Sequence, residues 1–391
     1  MIYRIDDKKL VESFKEHFNQ EPIHFSHCGG RFEVCGNHVD HNHGVCVVAT
    51  CNLMIKAAVA LREDNEVHVV SHGYDNEMII RLDHLELGPR EKGTSPAIIK
   101  GVLYYLIQNG YKVNGFNAYV DSEIPAGSGL SSSAAYETLF GRIVSELFND
   151  NSIDKLVIAK AGYFSENNYF GKKSGLLDQI GVAYGGMNLI DFKDIENPLV
   201  AKFEFPFKDV RFVLINTGGS HADLGDLYSS IPESMYKVAE HFGQKYLRDI
   251  PEDVFFEEVK EEKAHGHDYF EYIDRKRATH FYEENKRVIN LLKAIKEKDE
   301  DAFFDAINGS SKSSQLNLEN TMVPEQYAGS PQEAIDYANA FIEKGAIKIN
   351  GGGFMGTVIA FIREEELDQF LTKMRARYGE DMVYELGLLD E

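Results

Sequence analysis

Pro125-Ala126-Gly127-Ser128-Gly129-Leu130-Ser131-Ser132-Ser133-Ala134-Ala135 sets two glycines and three consecutive serines side by side. A strand-like run, Gly115 to Asp121, precedes this segment. Tyr136, Leu139, Phe140, Ile143, Val144 and Leu147 follow it at helical spacing. The pattern is strand, glycine-rich turn, helix N-terminus. Such a turn brings backbone N–H groups up to an anion, which the helix dipole also favours, and a serine on the first helical turn can ligate magnesium. A serine N-cap would need only one of these hydroxyls, so the excess points to phosphate binding. The Walker form is excluded, because no lysine lies between Lys112 and Lys155. The dinucleotide fingerprint is excluded because its third glycine and downstream acid do not fall in place.

Two further segments could carry chemistry. Gly30-Arg31-Phe32-Glu33-Val34-Cys35-Gly36-Asn37-His38-Val39-Asp40-His41-Asn42-His43-Gly44 places Arg31 near one end of a strand and Asp40 in the following turn. Its Asn, His, Asp and Gly residues could equally well only build that turn. Gly351-Gly352-Gly353 is either a hairpin turn or a glycine-rich loop. All four cysteines, Cys28, Cys35, Cys46 and Cys51, lie within 24 residues, among His24, His27, His38, His41 and His43. No Cys-x-x-Cys occurs and Val45-Cys46-Val47-Val48 reads as a buried strand, so buried free thiols are expected rather than zinc or a disulfide.

The elements that must position these residues follow from periodicity. Helices are predicted over 7–19, 95–109, 153–170 and 331–344, and over much of the highly charged 232–300 stretch, which a loop at Ala264-His265-Gly266-His267 interrupts. Strands are predicted at 23–35 and 45–60, flanking the polar loop, and at 66–71, 77–82, 187–190 and 211–216. A strand–glycine turn–strand unit covers 346–362. Composition shifts after residue 195, which divides the chain into an expected 1–195 domain and a 196–391 domain. The 391 residues carry 41 Lys+Arg against 63 Asp+Glu, a net charge of −22. Such a surface repels nucleic acid and anionic membranes. An anionic nucleotide would then depend on local dipoles, magnesium and a few placed cations. No apolar run approaches the roughly 18 residues of a membrane helix, and the N-terminus lacks a signal-peptide core. A cytoplasmic protein is expected, and its oligomeric state is unknown from sequence.

The serine segment resembles the second motif of the GHMP small-molecule kinases, Pro-x-Gly-x-Gly-Leu-Ser-Ser-Ser-Ala, with every fixed position met. Residues 30–44 resemble the signature of that family's galactokinase branch, Gly-Arg-x-Asn-x-x-Gly-Glu-His-x-Asp-Tyr-Asn-x-Gly. Gly30, Arg31, Gly36, His38, Asp40, Asn42 and Gly44 match, whereas Asn37 replaces the glutamate and His41 the tyrosine. Lys348 to Gly356 resembles the third, glycine-rich motif, with Asn350 for Thr and Met355 for Gly. Glu166-Asn167 and Gly175-Leu176-Leu177-Asp178-Gln179 reproduce the family's twelve-residue spacing between a magnesium glutamate and an active-site aspartate. Asn216, Gly225 and Tyr228 fall at the spacing of a sugar-contacting tyrosine, although Thr217 to His221 departs from the usual form.

The resemblance implies a two-domain α+β GHMP kinase architecture, with a ferredoxin-like C-terminal domain and the active site in the interdomain cleft. It implies ATP and Mg2+ as cofactors and transfer of the γ-phosphate to the anomeric hydroxyl of a galactose-like hexose. Pro125, Gly127, Ser128, Gly129, Leu130, Ser131, Ser132 and Ser133 would hold the nucleotide, and Ser133 and Glu166 the metal. Asp178 and Arg31 would be catalytic, and Asn37, His38, Asp40, Gly175 and Tyr228 would bind the sugar. An amide at Asn37 carries no charge, so a uronate kinase is the alternative enzyme. A catalytically silent sugar sensor is the alternative outside catalysis, against which the complete Ser132-Ser133-Ala134-Ala135 argues.

Overall fold

The computed structural model describes residues 3–74, 76–125, 127–172, 174–218, 224–265 and 269–390. Ala126 of the serine turn, Gly219, Ser220 and His221 of the segment before Tyr228, and the Gly266-His267 loop lie outside the described residues. The first half runs α1 (Asp7–Phe18), β1 (His24–Cys35), β2 (Val45–Leu61), β3 (Glu66–Ser71), β4 (Met78–Arg81), α2 (Ser95–Gln108), β5 (Phe116–Ser122), α3 (Ser132–Phe148), α4 (Lys155–Ser165), α5 (Leu177–Ala183), β6 (Met187–Asp191) and β7 (Leu199–Phe203). The second runs β8 (Val210–Asn216), α6 (Gly225–His241), α7 (Glu252–His265), α8 (Tyr272–Glu297), α9 (Glu300–Ser313), α10 (Pro331–Asn339), β9 (Gly345–Asn350), β10 (Thr357–Arg363), α11 (Glu364–Tyr378) and β11 (Val383–Leu386). Among the described residues no helix is long and apolar enough to cross a membrane.

Two sheets organise the molecule. The first has the order β4-β3-β5-β2-β6-β7, with β1 also paired to β2. The β2 strand is its spine. It is long enough to pair antiparallel with β5 through its second half, with β6 through its first half and with β1 along most of its length. The second sheet is antiparallel in the order β11-β8-β10-β9. Its chain order of strand, helices, two strands, helix and strand is the split β-α-β plan. The division drawn at residue 195 falls ahead of β7, which pairs with β6. The first sheet therefore runs on to Phe203.

The two sheets meet beside the polar loop. Successive residues of a strand point to opposite faces. Phe32 turns into the core, where its ring lies 5.2 Å from Phe212 and 6.4 Å from Phe361 of the second sheet. Arg31 and Glu33 are thereby turned to the other face. The helix expected over 153–170 is α-helical to Ser165 and then widens into one π-turn over Glu166–Phe170, which Gly171 ends at φ +86°. Such widened turns recur at functional sites. The helix expected over 331–344 stops at Asn339.

Candidate active site

Arg31 and Asp178 form the floor of the cleft. Arg31 Nε and Nη2 each lie 2.7 Å from Asp178 Oδ1, and Nη1 donates to the Gly129 carbonyl at 2.6 Å. The guanidinium is 5% exposed as part of its residue, while the Asp178 side chain keeps 31% exposure into the cleft. Ser131, in the left-handed region at φ 57°, donates its hydroxyl to Asp178 Oδ2 at 2.6 Å. Burial pushes the Asp178 carboxyl upward, but the Arg31 charge and hydrogen bonds, together with Ser131, outweigh it and hold the group below its ordinary value.

The serine turn sits directly above. Gly129 has φ +68°, and a Cβ there would lie 2.2 Å from Thr357 Oγ1, so only glycine fits. Its carbonyl also accepts from Asn350 Nδ2 at 2.9 Å, which ties the third motif to the second. Ser131 precedes α3 but spends its hydroxyl on Asp178 instead of capping the helix. The first-turn N–H groups, beginning with Ser132, thus face the turn without a side-chain cap, as an anion site needs. Pro125 leads into this turn and Gly127 continues it at φ +71°. Ser128 is buried with its hydroxyl unpartnered, and Leu130 is wholly in the core, so only the backbone of Leu130 is available to a phosphate.

Glu166 stands on the far side of the α3 N-terminus. Its Oε1 accepts from Ser133 Oγ at 3.1 Å and from Lys172 Nζ at 2.9 Å, and its Oε2 from Gln179 Nε2 at 2.9 Å. Hard oxygen donors of this kind suit magnesium, which takes one or two protein ligands and completes its shell with water and phosphate. The ammonium already resting on Oε1 marks this corner as cation-seeking. Behind it, Gln179 Nε2 also reaches Glu137 Oε2 at 3.0 Å. Burial, with the Glu166 charge adding to it, drives the Glu137 carboxyl well above its ordinary value.

On the other side of Asp178 lies a pocket of about 150 Å³, walled by Glu33, Asn37, His38, Asp40, Gly175 and the Gly351-Gly352 turn. A Cβ on Gly175 would stand 2.3 Å from Asp40 Oδ2. Asp40 is pushed up to about 6, chiefly by burial, with the negative charges of Asp178 and Glu33 adding to it. His38 Nε2 lies 2.9 Å from the Gly352 carbonyl, so that nitrogen carries the proton. Tyr228 stands behind the glycine turn rather than on the pocket wall. Its hydroxyl donates to the Gly353 carbonyl at 3.0 Å, and its ring leaves no room for a Cβ on Gly352.

Asn37 is 1% exposed and its amide is held on three sides. Nδ2 donates to the Gly351 carbonyl at 2.8 Å and to Glu33 Oε2 at 3.3 Å, and Oδ1 accepts from Asn320 Nδ2 at 3.1 Å. The partners of Nδ2 only accept, which fixes the amide this way round. Glu33 in turn pairs with Lys348 Nζ at 2.5 Å, and Lys348 has no exposure at all. Reading the motifs missed this pair, although the signal was there. Glu33 stands where the signature has Asn and Asn37 where it has Glu, so carboxylate and amide have exchanged places.

The backbone of the polar loop is clamped from α8. Glu284 Oε1 accepts the Gly36 and Asn37 N–H groups at 3.0 and 3.4 Å, and His280 Nε2 donates to the Asn37 carbonyl at 2.8 Å. Periodicity marked α8 only as a charged helix. The four cysteines are buried free thiols, and those of Cys35 and Cys46 are pushed well up by burial. No group of three or more His, Cys, Asp or Glu side chains among the described residues is arranged to hold a metal.

Known proteins share both the pattern and the fold. Residues 97–186 match the family model of the GHMP kinases N-terminal domain, and residues 12–61 match the galactokinase galactose-binding signature. The chain is 25% identical over 399 residues to a galactokinase of Lactobacillus helveticus, covering 99% of this chain and 97% of the relative. It is 27% identical over 390 residues to one of Streptococcus thermophilus, covering 97% and 96%. The galactose complex of Lactococcus lactis galactokinase superposes with a TM-score of 0.82 at 23% identity, covering 98% of this chain and 97% of that one. Methanococcus jannaschii mevalonate kinase gives a TM-score of 0.67 at 16% identity, covering 94% and 98%. With the serine turn, the Arg31–Asp178 floor and the sugar-signature loop assembled around one cleft, the chain carries a GHMP kinases N-terminal domain over residues 97–186 and the galactokinase galactose-binding signature over residues 12–61.

Proposed function

We propose that this protein is a galactokinase, transferring the γ-phosphoryl group of ATP to the C1 hydroxyl of galactose. The observation that carries the reading is the Arg31–Asp178–Ser131 cluster, set between an uncapped helix N-terminus and a carboxylate-walled pocket. The nucleotide phosphates lie against the backbone of Gly127, Gly129 and the start of α3. Ser133 and Glu166 hold Mg2+, which supplies charge neutralisation on the phosphates. The sugar occupies the pocket beside Asp40, with its C1 hydroxyl directed at Asp178.

Phosphoryl transfer asks little covalent chemistry of the protein and much positioning and charge. Asp178 is a weak base in this setting, because both its oxygens already accept hydrogen bonds and its pKa is held down. It aligns the hydroxyl with phosphorus and receives the proton as the new O–P bond forms and the bridging oxygen leaves with ADP. Arg31 offsets negative charge on the transferring group. Free sugar and nucleotide are the small-molecule partners, and the cytoplasm is where such a reaction would be placed.

The locked amide of Asn37 favours galactose over a uronate. Both its N–H bonds are spent on Gly351 and Glu33, so it offers the pocket only an acceptor lone pair. A 6-hydroxyl can donate to that lone pair, whereas a 6-carboxylate has no proton to give. The test is kcat/KM for galactose, 6-deoxygalactose and galacturonate with MgATP. Galactose should lead, 6-deoxygalactose should follow roughly tenfold lower, and galacturonate should be last. Turnover of galacturonate above galactose would replace this reading with a uronate kinase, and no turnover of any sugar would replace it with a sensor.

A further inference from the structure

The cation on Glu166 belongs to neither the motifs nor the mechanism above. Lys172 follows the π-turn, and its Nζ sits 2.9 Å from Oε1, the same oxygen that accepts from Ser133. The other oxygen, Oε2, is taken by Gln179. The Glu166 oxygen that faces the serine helix therefore already carries a positive charge.

The two ends of this ion pair are built differently. The Glu166 side chain is 2% exposed, whereas that of Lys172 is 57% exposed. The lysine approaches from solvent and leaves only its ammonium in the site. Arg31 offers a contrast: its guanidinium is buried and held by Asp178 and by the Gly129 carbonyl. Three carboxyl groups, Glu137, Glu166 and Asp178, crowd this corner. Arg31 is the fixed countercharge and Lys172 the one able to withdraw into water at small cost.

Resting on the assignment of Glu166 and Ser133 as metal-holding residues, we propose that Lys172 is an internal competitor for the divalent-cation seat on Glu166. It neutralises the buried carboxylate in the unliganded protein and is displaced when a divalent cation arrives. A compact ammonium and a divalent ion cannot both rest on Oε1, since like charges at that separation repel strongly in a site this dry.

The test is a titration of the full chain with Mn2+ alone, read by the electron paramagnetic resonance of the free ion, for wild type, Lys172→Met, Lys172→Arg and Glu166→Gln. Lys172→Met should bind Mn2+ roughly three- to tenfold more tightly than wild type, and Lys172→Arg should stay near wild type. Circular dichroism of each variant checks its fold, and the exposed position of Lys172 makes loss of fold unexpected. Equal or weaker binding by Lys172→Met, or no binding by either protein, overturns the proposal. Glu166→Gln separates the two levels. If it binds Mn2+ like wild type, the metal assignment itself fails. If it loses Mn2+ while Lys172→Met matches wild type, only the competition fails.

Discussion

Asp178 and Asp40 face the same cleft and are pushed in opposite directions. Around Asp178 the protein supplies positive charge and donors, so the carboxylate is favoured. Around Asp40 it supplies burial and two further negative charges, so the proton is held up to about 6. The phosphate end of the cleft is built to keep charge in place during the reaction. The sugar end is built to be completed by a ligand. Among the described residues Asp40 accepts only from backbone N–H groups of its own turn, and no cation or side-chain donor faces it, so the hydroxyl protons of a sugar would add the donors that favour its charge. Carboxyl groups whose surroundings drive them apart mark different roles in a single site.

The largest effect should come from removing the charge at the phosphate end. Asp178→Asn should lower kcat by about 10³-fold while sugar binding, measured by calorimetry, changes little. At the sugar end Asp40→Asn should do the reverse, raising KM for galactose roughly 10- to 100-fold with a smaller change in kcat. If both variants moved the same kinetic parameter, the division of the cleft would be wrong.

Stability should separate the two residues as well. Because its folded value lies above the ordinary carboxylate range, Asp40 contributes stability that is complete below about pH 4 and lost as the pH rises through about 6. Asp40→Asn should therefore be more stable than wild type at pH 7.5, by on the order of 1–3 kcal/mol, and lose that advantage towards pH 4.5 in thermal melts. Asp178→Asn should gain nothing at neutral pH. The smallest effect should be that of Ser131→Ala, which removes one donor from Asp178. The acid limb of its pH–rate profile should move up by about one unit or less, and an unmoved limb would return Ser131 to the nucleotide alone.

Much of this site was legible in the sequence because its parts are local. Periodicity and glycine placement put the serine turn at a helix start and Arg31 on a strand, whereas Glu166, Asp178 and the sugar-loop residues were picked out only by resemblance to the GHMP kinases, whose motifs lie in local stretches of chain. What was not legible depends on residues far apart in sequence. Glu284 and His280 are unremarkable on a charged helix until they reach Gly36 and Asn37. Lys348 reads as one more strand residue until Glu33 closes on it. Ser131 was placed with the nucleotide because no local rule shows its hydroxyl turning to Asp178. The α5 helix, Leu177–Ala183, is too short to announce itself by periodicity. The β7 strand is mostly exposed, so it lacks the apolar pattern that would have joined it to the first sheet.

The clamp on the polar loop sets the order in which this protein can mature. Glu33 and Asn37 are made early, but the partners that bury and orient them come late: Glu284 lies 247 residues after Asn37 and Lys348 lies 315 residues after Glu33. At ribosomal speeds the interval is on the order of 15–60 s. During that time the signature loop has its strands but not its ion pair, and the Glu33 carboxylate must stay hydrated. A nascent chain released at the end of the first sheet would therefore carry the sugar signature in its sequence and have no sugar pocket.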